Sequence, residues 1–248
     1  MGRGELFLNN TRTAIIIPIK KFEKSKTRLS GFLNPEQRVR LCHLMVNDLI
    51  EKISELEGSS MFLITNEIIT IPEKLNEKIV VLYEGRSTGV NDAVNLADSY
   101  IAREKFDSSV VIPIDIPLLT LIEINEIISF ARNYKESICM VPSNSFDGTN
   151  ILLRKPHSII DTSYDDNSFF NHFKKALERG ISPKIFYHEN LKLDIDTIGD
   201  VMLALKKYHL VDSTIKRSIS DQKKIQKSEN KPIEYLLSIF QNQNELCY

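Results

Sequence analysis

Three aspartates, Asp115, Asp194 and Asp196, stand at the ends of apolar runs, and the loop after the first apolar run carries Lys20, Lys26 and Arg28. Carboxylates that leave other ligand positions open favour Mg²⁺, which commonly takes one or two of them together with substrate phosphates. The cations suit a triphosphate, because arginine binds phosphate through a planar fork and lysine as a point charge. Together they predict nucleotidyl transfer, with Asp115, Asp194 and Asp196 holding the metal and Lys20, Lys26 and Arg28 offsetting charge on departing pyrophosphate. Each piece also has an ordinary reading: Asp115 as a turn acid before Pro117, and the basic loop as a solvated one. No serine or cysteine nucleophile beside a base is apparent, and this chemistry needs none.

The elements that must position these groups follow from the hydrophobic pattern. Residues 14–19 form a continuous apolar run, the mark of a strand buried on both faces of a parallel sheet. Residues 20–30 then carry Lys20, Lys21, Lys24, Lys26 and Arg28 against the single acid Glu23. Asn34-Pro35-Glu36 opens a helix reaching about residue 53, with an N-cap, a first-position proline and a first-turn acid. Strands are expected over 61–65 and 79–83, joined by a connection too short for a long helix. A strand over 109–114 would deliver Asp115 to the sheet edge and stop, since Pro117 cannot continue a central strand. In open α/β sheets the ligand crevice lies outside the carboxyl ends of the strands. The order predicts an α/β fold, a mostly parallel sheet flanked by helices.

Further along, Glu84-Gly85-Arg86-Ser87-Thr88-Gly89 precedes a helix through about residue 103. Gly89, Asn91 and Asp92 are candidate nucleotide contacts; Thr88 or Asn91 capping the helix is the other reading of the same stretch. After a helix over 121–134 and a strand over 137–141, the polar loop 143–150 leads to an apolar return at 151–153. That layout puts Thr149 and Asn150 on the crevice if the loop folds over it, or in a plain hairpin turn if not. A helix closed by Gly180 follows, with His172 in mid-helix read as structural. A strand over 191–198 would point Asp194 and Asp196 to one face, where two like charges call for a cation. A last helix is expected to end near residue 208, then a polar, basic linker over 211–232 and an amphipathic piece over 233–240 that could dock on the body or a partner. The domains expected are therefore 13–208 and an appendage, 209–248.

Bulk properties narrow the classes. The chain has 248 residues, 42% hydrophobic and 26% charged, with 32 basic and 33 acidic side chains and a net charge of -1. Such a balance gives no global field for nucleic acid or membrane, so any anion site is local. Three scattered cysteines fit a reducing compartment, and no apolar run is long enough to span a bilayer. A cytoplasmic location is the expectation, the apolar cluster at residues 6–8 being too short for a signal peptide.

The motifs also carry a resemblance. Pro18-Ile19-Lys20 followed by Lys26-Thr27-Arg28-Leu29 resembles the Pro-Val-Lys and Lys-Ser-Arg-Leu signature of the 2-phospho-L-lactate guanylyltransferases, the CofC family of coenzyme F-420 biosynthesis. Gly89-Val90-Asn91-Asp92-Ala93 is similar to that family's Gly-Leu-Asn-x-Ala, and Asp115-Ile116-Pro117-Leu118-Leu119 to its Asp-Leu-Pro-Leu-Leu. Gly148-Thr149-Asn150, Ser168-Phe169 with His172, and Leu193-Asp194-Ile195-Asp196-Thr197 follow in the family's order. The resemblance implies a Rossmann-like, GT-A-type nucleotidyltransferase, a homodimer, that joins GTP to 2-phospho-L-lactate, phosphoenolpyruvate or a similar phosphorylated three-carbon acid. It implies metal binding by Asp115, Asp194 and Asp196, and acceptor contacts around Thr149, Asn150, Asp165 and Ser168. The chain departs from the family at Asp165-Asp166-Asn167, where Gly-Pro-Gly is usual; two carboxylates there would repel an anionic acceptor unless turned outward or bridged by metal. Two other readings stay open: a molybdopterin or sugar-phosphate nucleotidyltransferase, and a non-catalytic nucleotide-binding subunit.

Overall fold

The computed structural model describes residues 12–85, 89–218 and 230–245. Strands β1 (Thr13–Ile19), β2 (Ser59–Thr65), β3 (Ile79–Tyr83), β4 (Ser108–Val111), β5 (Ser137–Pro142), β6 (Thr149–Lys155) and β7 (Lys184–Ile185) form one sheet in the order β3-β2-β1-β4-β6-β5-β7. All neighbouring pairs are parallel except those of β6, which runs antiparallel to both β4 and β5. The helices are α1 (Pro35–Ser54), α2 (Val90–Ile101), α3 (Leu121–Arg132), α4 (Ser168–Glu178), α5 (Ile198–Ser218) and α6 (Lys231–Glu245).

Alternation along the strands divides the core in two. Ile15, Ile17, Leu63, Val110, Cys139 and Leu153 face a cluster completed by α1 and α3. Their neighbours Ala14, Ile16, Phe62, Val111, Met140 and Leu152 face the opposite cluster, completed by α2 and α4. Both faces are covered, which is why these strands read as unbroken apolar runs. The second face also buries Arg154, whose guanidinium makes a bidentate bridge to Asp98 at 2.7 and 2.8 Å and whose Nε donates to Ser109 Oγ at 3.2 Å. That bridge ties β6 to α2 and β4.

Helix ends follow local chemistry. Asn34 with Gln37, Thr120 with Glu123, and Thr197 with Asp200 each make reciprocal side-chain bonds at a helix start. Gly180, at φ 79°, follows α4, and the Gly180 and Ile181 amides return to the Leu177 and Ala176 carbonyls, closing the last turn.

The elements differ from expectation in several places. β4 ends at Val111, not 114, because Pro113 has no N–H to give to the ladder; Asp115 stands on the turn beyond. The segment 191–198 is not a strand: the Lys192 and Leu193 amides turn to local carbonyls, those of Asp196 and Thr197 to the Asp200 carboxylate, and Ile195 donates to Asp115 O at 2.9 Å. Leu193 and Ile195 are nevertheless buried while Asp194 and Asp196 are partly exposed, so the alternation holds without a ladder. The edge strand β7 has no strong sequence signal, being two residues long. Helix α5 continues past the expected end near residue 208 to Ser218 and so crosses the 208/209 boundary. Helix α6 docks on the body: Ile233, Leu236 and Ile239 are buried with Leu41 and Met45 of α1 and Val201 and Ala204 of α5. Residues 219–229 of the expected linker lie outside the described residues, as do Thr88, residues 6–8 and Cys247. No helix among the described residues is long and apolar enough to cross a membrane.

Candidate active site

A crevice of about 710 Å³ opens beyond the carboxyl ends of β1 and β4, where the chain order switches direction across the sheet. Because β6 is antiparallel, its first residues Thr149 and Asn150 reach the same edge. Lys20, Lys26, Arg28, Asp115, Thr149, Asn150, Asp165, Ser168, Asp194 and Asp196 all line it. Gly89, Asn91 and Asp92 do not line it, although Val90 does.

One wall is built on charge. Lys26 Nζ lies 2.7 Å from Asp115 Oδ2 and 2.8 Å from Asp196 Oδ1, with only 5% of its side chain exposed. Burial opposes the lysine charge, but the two carboxylates outweigh it and hold the ammonium above its ordinary pKa. Burial likewise works against the Asp196 charge, and Lys26, with Arg28 and Lys20 beyond it, keeps that carboxyl below its usual range. Lys26 adopts φ 54°, ψ 34°, a left-handed conformation that costs a non-glycine residue roughly 1–3 kcal/mol and is maintained here by the paired carboxylates. Asp194 turns instead toward Asn150 Nδ2, at 3.4 Å, and burial, then the charges of Asp115 and Asp196, push it up to about 6. Asp200 accepts from the Asp196 and Thr197 amides and so fixes the backbone under Asp196. Its signal was present in the Thr-x-x-Asp spacing.

The other wall is neutral. His172 is fully buried, and its Nε2 accepts from the Ser163 amide at 2.8 Å, so the ring proton resides on Nδ1. Nδ1 then donates to Thr149 Oγ1 at 2.9 Å, which makes that hydroxyl an acceptor toward His172 and frees its hydrogen for the crevice. The Thr149 amide donates to Ser168 Oγ at 2.9 Å, leaving the Ser168 hydroxyl hydrogen free in the same way. Burial pushes the His172 pKa down to about 3, with Lys175 and Arg154 adding to it, so the ring stays neutral. His172 is thus structural as expected, but what it holds is a crevice hydroxyl. Ser168 opens α4, whose N-cap Asn167 is left-handed at φ 57° and supplies no side-chain cap. First-turn N–H groups there favour an anion. Gly148 sits in close approach: a Cβ there would lie 3.2 Å from Ser143 Cβ and Oγ, so the serine side chain would have to shift by a few tenths of an ångström.

The nucleotide-side expectations fare differently. Asn91 neither caps α2 nor faces the crevice: Gly89, at φ 133°, is the N-cap, and Asn91 accepts from the Tyr164 amide at 2.8 Å and donates to Asp165 Oδ2 at 3.2 Å. Asp92 sits exposed in the first turn of α2. Asp165 faces the crevice, whereas Asp166 is exposed and outside it.

Whether these residues suit a divalent cation is answered in part by Lys26. Two carboxylates already share one positive charge, and the donor set is all oxygen, as Mg²⁺ requires. Among the described residues, no three acidic, histidine or cysteine side chains are gathered as a ready metal cage. Asp115 and Asp196 hold the Lys26 ammonium between them, and Asp194 stands beside them.

Fold and crevice together are those of a nucleotidyltransferase-type α/β protein. A crystal structure described as a nucleotide-diphospho-sugar transferase from Desulfovibrio desulfuricans superimposes with a TM-score of 0.68 over 94% of this chain and 98% of that one, at 12% identity. The chain belongs to the CofC-like guanylyl transferase family, whose model matches residues 13–209. The 2-phospho-L-lactate guanylyltransferase of Methanothermobacter thermautotrophicus is 30% identical over 77% of this chain and 82% of its own length. That of Methanocaldococcus vulcanius is 31% identical over 79% of this chain and 86% of its own.

Proposed function

We propose that the protein transfers GMP from GTP to 2-phospho-L-lactate or a closely similar phosphorylated three-carbon acid, releasing pyrophosphate. The observation that carries this reading is the pairing of the two walls: a buried lysine between two carboxylates opposite two hydroxyls whose hydrogens are free for an anion. A phosphate oxygen of the acceptor attacks the α-phosphorus of GTP; that bond forms as the bond to the β-phosphate bridging oxygen breaks, and the electron pair leaves with pyrophosphate. The acceptor phosphate, with a second pKa of about 6, is mostly dianionic at neutral pH and needs no general base. Thr149, Ser168 and the α4 N-terminus bind and orient the acceptor, while Lys20 and Arg28, exposed on the crevice, hold the triphosphate. Mg²⁺, held by Asp115 and Asp196 with Asp194 beside them, would neutralise phosphate charge at the reacting phosphorus.

The test is pyrophosphate release with Mg²⁺ and GTP, ATP or CTP, each against 2-phospho-L-lactate, phosphoenolpyruvate and 3-phosphoglycerate. Turnover confined to GTP and one acid is the expected result. Turnover with ATP or CTP in place of GTP, or silence across the panel from folded protein, would overturn the reading.

A further inference from the structure

Helix α6 lies beyond the region the family model matches, residues 13–209, yet it reaches the carboxylate wall. Asn230, buried just ahead of it, does two things with one amide. Its Oδ1 accepts from the Ile233 amide at 3.2 Å, capping the helix, and its Nδ2 donates to the Pro117 carbonyl at 2.6 Å. Pro117 is two residues from Asp115, and the same carbonyl accepts from Lys52 Nζ of α1 at 2.8 Å. The Asp115 carbonyl in turn accepts from Ile195, between Asp194 and Asp196. Ile195 and Leu193 pack in the cluster that contains Ile233, Leu236 and Ile239 of α6. The aspartate turn and the Asp194–Asp196 segment, neither of which has ladder bonds of its own beyond residue 112, thus share one support.

From this geometry we infer that Asn230 is a positioning residue and α6 a brace, which hold the Asp115 turn in place for the reaction. The inference rests on the functional reading given above only for its kinetic consequence. A turn without ladder bonds samples other conformations unless its carbonyls are bound, and a metal-holding carboxylate displaced by one ångström loses much of its use.

Asn230→Ser separates the two roles, because serine caps a helix well but is too short to reach the Pro117 carbonyl. Hydrogen exchange by mass spectrometry on residues 112–119, together with kcat and the melting temperature, reads the outcome on the full chain. The expected result is exchange over 112–119 faster by about fivefold, the scale of one lost hydrogen bond, and a similar fall in kcat, with α6 still protected. A merely structural role would lower the melting temperature and deprotect α6 while leaving 112–119 and kcat unchanged, and that would overturn the inference. Should serine loosen α6, Asn230→Asp keeps the cap and the size but removes the donor; unchanged exchange over 112–119 in that variant would equally overturn it. The exchange measurement needs no substrate, so an inactive wild type would end the functional reading while exchange still decides the brace.

Discussion

On one wall of the crevice Lys26 stands buried between Asp115 and Asp196; on the other, His172, Thr149 and Ser168 are joined by neutral hydrogen bonds. The first wall has surplus charge that a substrate or cation must reorganise, for Lys26 occupies the place between the carboxylates. The second is fixed before any ligand arrives, the Thr149 hydroxyl by the His172 tautomer and the Ser168 hydroxyl by the Thr149 amide. The difference matches what each wall has to do: follow charge that moves during phosphoryl transfer, or hold one anion in one orientation. Breaking the charged wall should therefore act on turnover, and breaking the neutral wall on stability and acceptor binding.

The largest effect is expected from Asp115→Asn. The amide keeps the shape and the Ile195 contact, which is to the backbone, but removes half of the charge facing Lys26. Loss of a group that stabilises developing charge lowers kcat by roughly a hundredfold or more. Pyrophosphate release measures it, and circular dichroism checks that the fold is retained. Wild-type rates from the folded variant would remove Asp115 from the chemistry.

Acid should act on the neutral wall through His172, and His172→Gln separates this from Asp194, which at about 6 titrates alike in both proteins. The folded pKa of His172, about 3, is depressed below the unfolded value of 6.5, so the unfolded chain takes up a proton that the folded chain refuses. Its contribution is fully present above pH 6.5 and is lost as pH falls from 6.5 toward 3. At pH 5 the loss is about 2 kcal/mol, from the 1.36 kcal/mol carried by each pH unit. Urea unfolding at pH 7 and pH 5, for the wild type and for His172→Gln, isolates it: the wild type should lose about 2 kcal/mol more than the variant. Equal losses would mean that the buried ring is protonated in the fold. Asp196 and Lys26, with pKa values displaced downward and upward, keep their charges over this range.

The sheet was legible because strands buried on both faces must be apolar throughout, and residues 14–19 and 61–65 could be little else. The crevice was legible from Asp115, Lys26 and Arg28 because sheet topology sends strand ends to one edge. What the sequence hid were pairings made by folding alone. Nothing in the spacing of His172 and Thr149 announces their bond, and Asn91 looked free for a ligand when its partners, Tyr164 and Asp165, lie over seventy residues away. The 191–198 stretch kept a strand's alternation without a strand's bonds, since burial of Leu193 and Ile195 depends on α5 and α6 rather than on a neighbour in the sheet. The role of α6 was hidden for the same reason: an amphipathic pattern shows that a helix docks, not where.

The smallest effect is expected at Asp165. Asp165 lines the crevice and is exposed, one residue ahead of Asp166, which is exposed and does not line it. Asp165→Asn keeps an oxygen to accept from Asn91, so the change is in charge and hardly in shape. An exposed carboxylate about 8 Å from a dianionic phosphate repels it by roughly 1 kcal/mol in water-like surroundings. The variant should therefore lower the KM for the acceptor by about two- to fivefold, leave the KM for GTP alone, and lose its advantage at high salt, where screening shortens to a few ångströms. Asp166→Asn should do none of this. If both variants behave alike, the effect is one of net charge and Asp165 is not part of the acceptor wall. If Asp165→Asn raises the acceptor KM instead, the carboxylate is accepting a hydrogen bond from the acceptor, which then carries a donor such as a hydroxyl near its phosphate.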